Sequence, residues 1–245
     1  MKRREFLQAT GGVVVAGAAS AYAVKFLVTS DLGKASTEIE PSGKKWGMVI
    51  DLTRCREGCT ACIDACREEN NVAHHDDDRW NVHWIRKARL KSKHGDGPEK
   101  SVILMCNHCD NPPCAQVCPV QATYKREDGI VLVDHHRCIG CRYCMIACPY
   151  NARFFNFKES EEWPNKKFPK RSHGVAEACT LCAHRLERSQ QPACVEACAK
   201  ANVGALSVGD LNDPESEVSR LIAGNPTRRI REDLGTEPKV YYIGL

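Results

Sequence analysis

Sixteen cysteines in a chain of 245 residues fall into four groups of four with none left over, and this arrangement limits the possible folds more than any other feature. The groups are Cys55, Cys59, Cys62 and Cys66; Cys106, Cys109, Cys114 and Cys118; Cys138, Cys141, Cys144 and Cys148; and Cys179, Cys182, Cys194 and Cys198. Each ends in a pair separated by three residues. A chain this long buries its own core, so it does not need the disulfide staples of small secreted domains. The thiols serve another chemistry.

The third group, CIGCRYCMIACPY, has the spacing C-x2-C-x2-C-x3-C-P of a bacterial ferredoxin run, in which the fourth cysteine ligates the other cluster of a two-cluster module. A tight loop can offer three thiolates to three corners of a 4Fe-4S cube while its backbone N–H groups face the sulfides. Pro119 and Pro149 follow the closing cysteines of groups two and three, where a first helical turn accepts proline. In group one, which has an extra residue between its first two cysteines, Gly58 is expected to absorb the altered turn.

The chain also repeats itself. Val49-Ile50-Asp51-Leu52-Thr53-Arg54-Cys55 and Leu132-Val133-Asp134-His135-His136-Arg137-Cys138 share two apolar residues followed by D-x-x-R-C. Asn111-Pro112-Pro113-Cys114 is echoed by Gln191-Pro192-Ala193-Cys194. Thr123 to Val133 (TYKREDGIVLV) predicts two short strands around a Glu127-Asp128-Gly129 turn. That hairpin leaves 19 residues between Cys118 and Cys138, so groups two and three should share one compact module, and groups one and four by elimination close a second. The expected fold is α+β: two interleaved bacterial-ferredoxin-like modules, each binding two 4Fe-4S clusters. The inner module takes 101–157 and the outer takes 46–100 with 172–210. The spacers 67–105 and 149–178 are expected as surface insertions, and residues 211–245 as a C-terminal helix and tail. In that tail Asp213 is expected to cap a helix starting at Pro214 and ending before Gly224.

On these motifs the chain resembles the four-cluster iron-sulfur subunits of the dimethyl sulfoxide reductase-like family, such as those of tetrathionate and polysulfide reductases. The likeness is densest over Cys106–Val133, Cys138–Phe154, Pro192–Cys198, and the tail with Asp213-Pro214 and Gly235-Thr236-Glu237-Pro238. More narrowly, with its CREGC opening, it is similar to the exported ferredoxin-like subunit of the membrane complex linked to dissimilatory sulfite reductase. The resemblance implies that three cysteines of each group join the last cysteine of a partner group. One cube would take Cys55, Cys59, Cys62 and Cys198, and a second Cys179, Cys182, Cys194 and Cys66. A third would take Cys106, Cys109, Cys114 and Cys148, and a fourth Cys138, Cys141, Cys144 and Cys118. It further implies a one-electron relay of four 4Fe-4S clusters in an anaerobic respiratory complex. One partner would be a polytopic quinone-interacting membrane subunit of the polysulfide-reductase type. The other would be a multihaem cytochrome c or a molybdopterin catalytic subunit, so the assembly is a hetero-oligomer.

The N-terminus reads as an address. MKRREFLQATGGVVVAGAASAYA has Arg3-Arg4 before Phe6-Leu7, a weakly apolar stretch and small-residue A-x-A endings, which together resemble a twin-arginine export signal, cleaved or retained as an anchor over residues 1–28. Export of a prefolded protein to the outer face of the cytoplasmic membrane would spare free thiols an oxidising compartment. Without residues 1–23 the charge falls from +4 to 32 basic against 30 acidic groups, or +2. Four oxidised cubes at roughly −2 each would bring the loaded protein to about −6.

Other chemistries fit less well. Arg86–Lys93 has no interleaved aromatic, so it reads as a solvated face and not as a nucleic-acid stripe. No phosphate-cradling Gly-rich loop, paired carboxylates or Ser/His/Asp set marks a catalytic site, so no catalytic residue is assigned. A zinc scaffold built on C-x2-C units is the alternative of a different class. His74-His75-Asp76-Asp77-Asp78 reads as a solvated turn, and His108 and His184 as covers or donors beside ligand loops. Lys158–His173, with Trp163 and Phe168, is expected either to meet a partner or to pack on the protein's own body.

Overall fold

The computed structural model describes residues 43–91, 99–160 and 163–245; the export-type segment at 1–28 lies outside them. The strands are β1 (Trp46–Asp51), β2 (Ile85–Leu90), β3 (Lys100–Met105), β4 (Thr123–Lys125), β5 (Val131–Val133), β6 (Phe154–Phe155), β7 (Ala176–Glu177), β8 (Leu206–Asp210), β9 (Thr227–Arg228) and β10 (Val240–Ile243). The helices are α1 (Ala61–Asn70), α2 (Pro113–Gln116), α3 (Tyr143–Ala147), α4 (Ala183–Leu186), α5 (Ala193–Lys200) and α6 (Glu217–Gly224).

The largest sheet runs β8-β1-β10-β9, with β1 antiparallel to β8 and parallel to β10. Alternation along β1 and β10 divides their side chains between two faces. Met48, Ile50, Val240 and Tyr242 enter the main core, while Val49 and Ile243 pack under Val218 of α6. The main core is unusual in its content, since Cys62, Cys66, Cys106, Cys179, Cys194 and Cys198 lie among its aliphatic residues.

The sequence repeat has a structural cause. The Asp51 carboxylate accepts the Thr53 N–H at 2.9 Å, and the Asp134 carboxylate accepts the His136 N–H at 2.9 Å. Each aspartate therefore turns the chain out of a strand and toward the first cysteine of its group. Their backbones match as well: Asp51 N–H donates to the Ala205 carbonyl at 2.8 Å and Asp134 N–H to the Ala122 carbonyl at 2.7 Å. Strand β1 pairs with β8 as β5 pairs with β4, and α1 packs on α5 as α2 packs on α3. The predicted hairpin is present as β4–β5, turning at Gly129 with φ of 81°.

Several expectations need correction. The spacer 67–105 is not confined to the surface. Its hairpin β2–β3 buries Ile85, Val102, Ile103 and Met105, with Trp84 beside it, and Tyr242 Oη donates to the Ile103 carbonyl at 2.9 Å. For Lys158–His173, expected either to meet a partner or to pack on the protein's own body, segment 163–171 shows the packing and needs no correction. Asn71 Nδ2 donates to the carbonyls of Asn165, Phe168 and Pro169, and the Trp163 indole donates to the Phe168 carbonyl. The C-terminal helix starts at Glu217, because the Ser216 hydroxyl accepts the Ser219 N–H; Asp213 instead closes the preceding turn through the Glu215 N–H. Gly224 is that helix's last residue. Pro119 and Pro149 begin no helix but follow short ones, where proline stops further winding. In the His/Asp run, Asp77 caps a single 3-10 turn, bonds Arg79 and leaves a structural bend.

Candidate metal centres

All four groups open through the same backbone device. The residue immediately before the second cysteine is left-handed in every case: Gly58 (φ 75°), His108 (43°), Gly140 (69°) and Leu181 (50°). Such a residue reverses the loop so that successive N–H groups face one concavity, the arrangement that stabilises an anionic centre. Glycine takes this conformation without strain at Gly58 and Gly140. His108 and Leu181 take it at a cost, offset by burial at 2% exposure each. His108 is further fixed by accepting the Val131 N–H on Nδ1 at 3.1 Å.

Burial and mutual repulsion divide the thiols into neighbourhoods that mix the groups. Burial, then Cys198, Cys55 and Cys59 push Cys62 up to about 11, with Lys87 opposing. Cys66 is raised by burial and then by Cys182, and Cys194 by burial and then by Cys66 and Cys182. Cys179 is also raised, by burial first and then by Cys66, by Cys106 of the other half, and by Cys194 and Cys182. Cys106 is pushed to about 12 and Cys109 to about 11, both chiefly by burial, with Cys114 facing each and Cys148 facing Cys109. Cys144 is raised by burial, with Cys114, Cys138 and Cys118 facing it. Cys118 moves the other way: although burial raises it, the N–H groups of Thr123, Val120, Ala122 and Gln121 prevail. Without a ligand most of these thiols hold their protons, so loading iron displaces protons into solvent.

The surroundings suit an anionic sulfur cluster. Backbone N–H groups donate to cysteine sulfur from Ala205 to Cys198 (3.2 Å), Leu181 to Cys179 (3.3 Å), Ala152 to Cys148 (3.5 Å) and Ala176 to Cys138 (3.5 Å). One pocket is lined by Cys106, Cys109, Cys114, Cys148 and Arg153, which places these thiols and the guanidinium around a common space. Buried polar atoms without a partner among the described residues sit beside these loops: Asn107 Oδ1, His108 Nε2, Arg153 Nη1, Arg171 Nη2 and Thr180 Oγ1. The four that can donate, on His108, Arg153, Arg171 and Thr180, are groups that cluster sulfides could satisfy; the Asn107 amide oxygen only accepts and needs another partner. Among the described residues, no three His, Cys, Asp or Glu side chains gather closely enough to hold a single metal ion. Four thiolates around one zinc would stand about 3.8 Å apart.

Three side chains missed by sequence reasoning complete the site. Arg153 is 3% exposed, donates from Nη2 to Cys114 Sγ at 3.1 Å and faces Cys106, Cys144 and Cys148 as well. Burial works against its charge, but these thiols overcome it and hold its affinity for the proton above the ordinary value. Asn70 Nδ2 reaches Cys182 at 3.6 Å and Cys66 at 3.8 Å. Arg171 lies over the Trp84 ring at 4.5 Å and faces Cys66 and Cys182. No spacing rule marks any of the three. His184, by contrast, points away from the thiols, bonding Glu69 at 2.9 Å and stacking on Phe168.

Residues 101–211 match the 4Fe-4S dicluster domain family. The chain is 42% identical to the Hdr-like menaquinol oxidoreductase iron-sulfur subunit 1 of Archaeoglobus fulgidus, over 100% of this chain and 98% of that protein. It is 39% identical to the B subunit of tetrathionate reductase from Salmonella typhimurium, over 99% of this chain and 88% of the relative. With the B component of polysulfide reductase from Wolinella succinogenes it shares 38% identity, over 82% of this chain and 94% of the relative. A ferredoxin-type domain of mixed helices and strands, sixteen cysteines in ferredoxin spacing and relatives of this length agree. The chain belongs to the family of 4Fe-4S dicluster iron-sulfur subunits of respiratory oxidoreductases, binds four 4Fe-4S clusters and transfers electrons.

Proposed function

We propose that the sixteen cysteines hold the four cubes in mixed sets: Cys55, Cys59, Cys62 with Cys198; Cys179, Cys182, Cys194 with Cys66; Cys106, Cys109, Cys114 with Cys148; and Cys138, Cys141, Cys144 with Cys118. The observation that carries this reading is the facing of thiols across groups, Cys62 to Cys198 and Cys66 to Cys182 in one half, Cys109 to Cys148 and Cys144 to Cys118 in the other. The pairing of β1 with β8 and of β5 with β4 supports two ferredoxin-like modules of two cubes each. When bound, each cube supplies a one-electron couple. The chain's own residues would exclude water, neutralise thiolate charge with backbone N–H groups and Arg153, and hold the ligand loops in place.

On this reading the chain has no catalytic site of its own and relays electrons between a quinone-interacting membrane subunit and a second redox subunit. The names of the relatives, a menaquinol oxidoreductase and reductases of tetrathionate and polysulfide, support a quinone-linked anaerobic complex of sulfur metabolism. The role similar to that of the exported subunit linked to dissimilatory sulfite reductase is retained within it, with a multihaem cytochrome c or a molybdopterin subunit as the other partner. Arg3-Arg4 supports twin-arginine export and residence on the outer face of the cytoplasmic membrane. No helix among the described residues is long and apolar enough to cross a membrane, so attachment falls to partners or to the N-terminal segment.

Metal and acid-labile sulfide analysis tests the reading. Four cubes require about 16 iron and about 16 sulfide per chain; several zinc ions without sulfide would replace it with the scaffold alternative.

A further inference from the structure

We propose that the face formed by Ile139, Cys141, Tyr143 and Ile146 is the docking surface for a redox protein that presents an apolar patch bordered by carboxylates. The inference rests on the reading of the cysteines as cube ligands given above. Of the sixteen, Cys141 alone is exposed. Around it Ile139 is 65%, Tyr143 58% and Ile146 82% exposed. Tyr143 and Ile146 are three residues apart on α3 and share its outer face. Large apolar residues gathered at one exposed place mark contact surfaces.

The repeat supplies an internal control. In the four C-x3-C closures the residue two after the third cysteine is Asp64, Gln116, Ile146 and Glu196. Three of the four are polar, so the fold does not require an apolar side chain there. Group one likewise has Arg56 after its first cysteine and Ala61 before its third, where group three has Ile139 and Tyr143. Only the group with the exposed ligand carries this apolar set.

Charge at the rim points to the kind of partner. Arg142, next to Cys141, has no carboxylate partner among the described residues and lies over Phe155 and Phe157 at 5.4 and 5.7 Å. Phe157, 51% exposed, meets Trp80, whose ring carries Lys158 at 4.5 Å. Arg137 is exposed, with Asp134 as its acidic neighbour. This positive rim would steer an acidic partner and set its orientation. A membrane surface could also accept apolar and basic groups, but it offers no electron acceptor beside Cys141. Only an electron crosses the face: one centre is oxidised as the other is reduced, and no bond forms.

The test uses the full chain expressed and purified with its native complex, comparing wild type with Ile146→Asp and Arg142→Glu. Ile146→Gln, which places the residue of group two there, guards against a folding defect. The expected result is unchanged iron and sulfide with about tenfold or greater loss of a copurifying partner identified by its own redox chromophore. Reduced wild-type protein should also bleach or reduce that chromophore, and added salt should weaken the complex. Equal retention of the partner by wild type and variants would overturn the inference. So would Ile146-dependent binding to phosphatidylglycerol vesicles or Ile146-dependent self-association of the wild type, either of which names another occupant. A wild-type chain without iron and sulfide would overturn the cluster reading itself, and this inference with it.

Discussion

Arg153 offers the sharpest way to test how the protein sets the energy of its electrons. Its guanidinium is buried, lies 3.1 Å from Cys114 Sγ and faces thiols from both inner sets, so Arg153→Met removes one positive charge between two centres. An added electron spreads over a cube and so sits somewhat farther from the guanidinium than the thiolate does. With an effective dielectric of about 20, a unit charge roughly 6 Å away contributes about 3 kcal/mol. That is about two decades in the reduction equilibrium, or roughly 120 mV at 59 mV per decade for one electron. The sign follows from electrostatics: losing a cation makes reduction harder, so the inner potentials should fall. Potentiometric titration followed by electron paramagnetic resonance should show two couples shifting down in Arg153→Met and the other two staying in place. Arg153→Lys keeps the charge but loses the planar fork, and should shift less. Unchanged potentials in a fully loaded Arg153→Met protein, or an equal shift of all four couples, would refute the reasoning.

Burial raises the Glu69 carboxyl, but its hydrogen bond with His184 and the Arg185 guanidinium outweigh this and hold it below the usual range. The stability it contributes is present above the unfolded carboxylate value and lost as pH falls through the lower folded one. Glu69→Gln should therefore be less stable than wild type near neutrality, by about 1 kcal/mol at this partly exposed site, and the gap should close below about pH 4 in acid denaturation. Tyr242→Phe removes the hydroxyl bond to the Ile103 carbonyl and leaves that acceptor buried, so denaturant unfolding should show a loss of about 1 to 2 kcal/mol. Chelating the iron removes the ligands' common partner from the core, and calorimetry should show a large fall in the midpoint of the described domain. Asn70→Ala should leave iron content near wild type and lower the potential of the centre beside Cys66 and Cys182, read by the same titration.

The parts of this fold that can be read in the chain are those set by local spacing. The hairpin at β4–β5 is predicted by its turn residues and appears as predicted, and Gly58 takes the left-handed turn expected of it. The D-x-x-R-C repeat is visible in the sequence, but its cause, an aspartate turning the chain out of a strand, emerges only from the hydrogen bonds. His108 and Leu181 adopt the same backbone as Gly58 and Gly140 with no glycine to announce it, because burial offsets the strain. Arg153 and Asn70 bond the sulfurs of the distant Cys114 and Cys182, and Arg171 lies near Cys66 and Cys182, and no local spacing in the sequence announces these contacts. The hairpin β2–β3 reads as surface in the sequence, although β3 buries the adjacent Val102 and Ile103 and so is covered on both faces, because a run of Arg and Lys in β2 dominates the local pattern.

The position of β1 has a consequence for biogenesis. Its two neighbours, β8 and β10, begin at residues 206 and 240, so the first strand of the described domain is held by the last ones. Pairing over such sequence separation is slow, because a long loop must close before any contact rewards it. During synthesis β1 therefore waits for nearly the whole chain, and the large sheet closes only once the C-terminal strand has left the ribosome. Loss of residues 240–243 would leave β1 with an open edge and Tyr242 absent from the core. Losing the last strand would thus undo the first, although about 190 residues separate them in sequence.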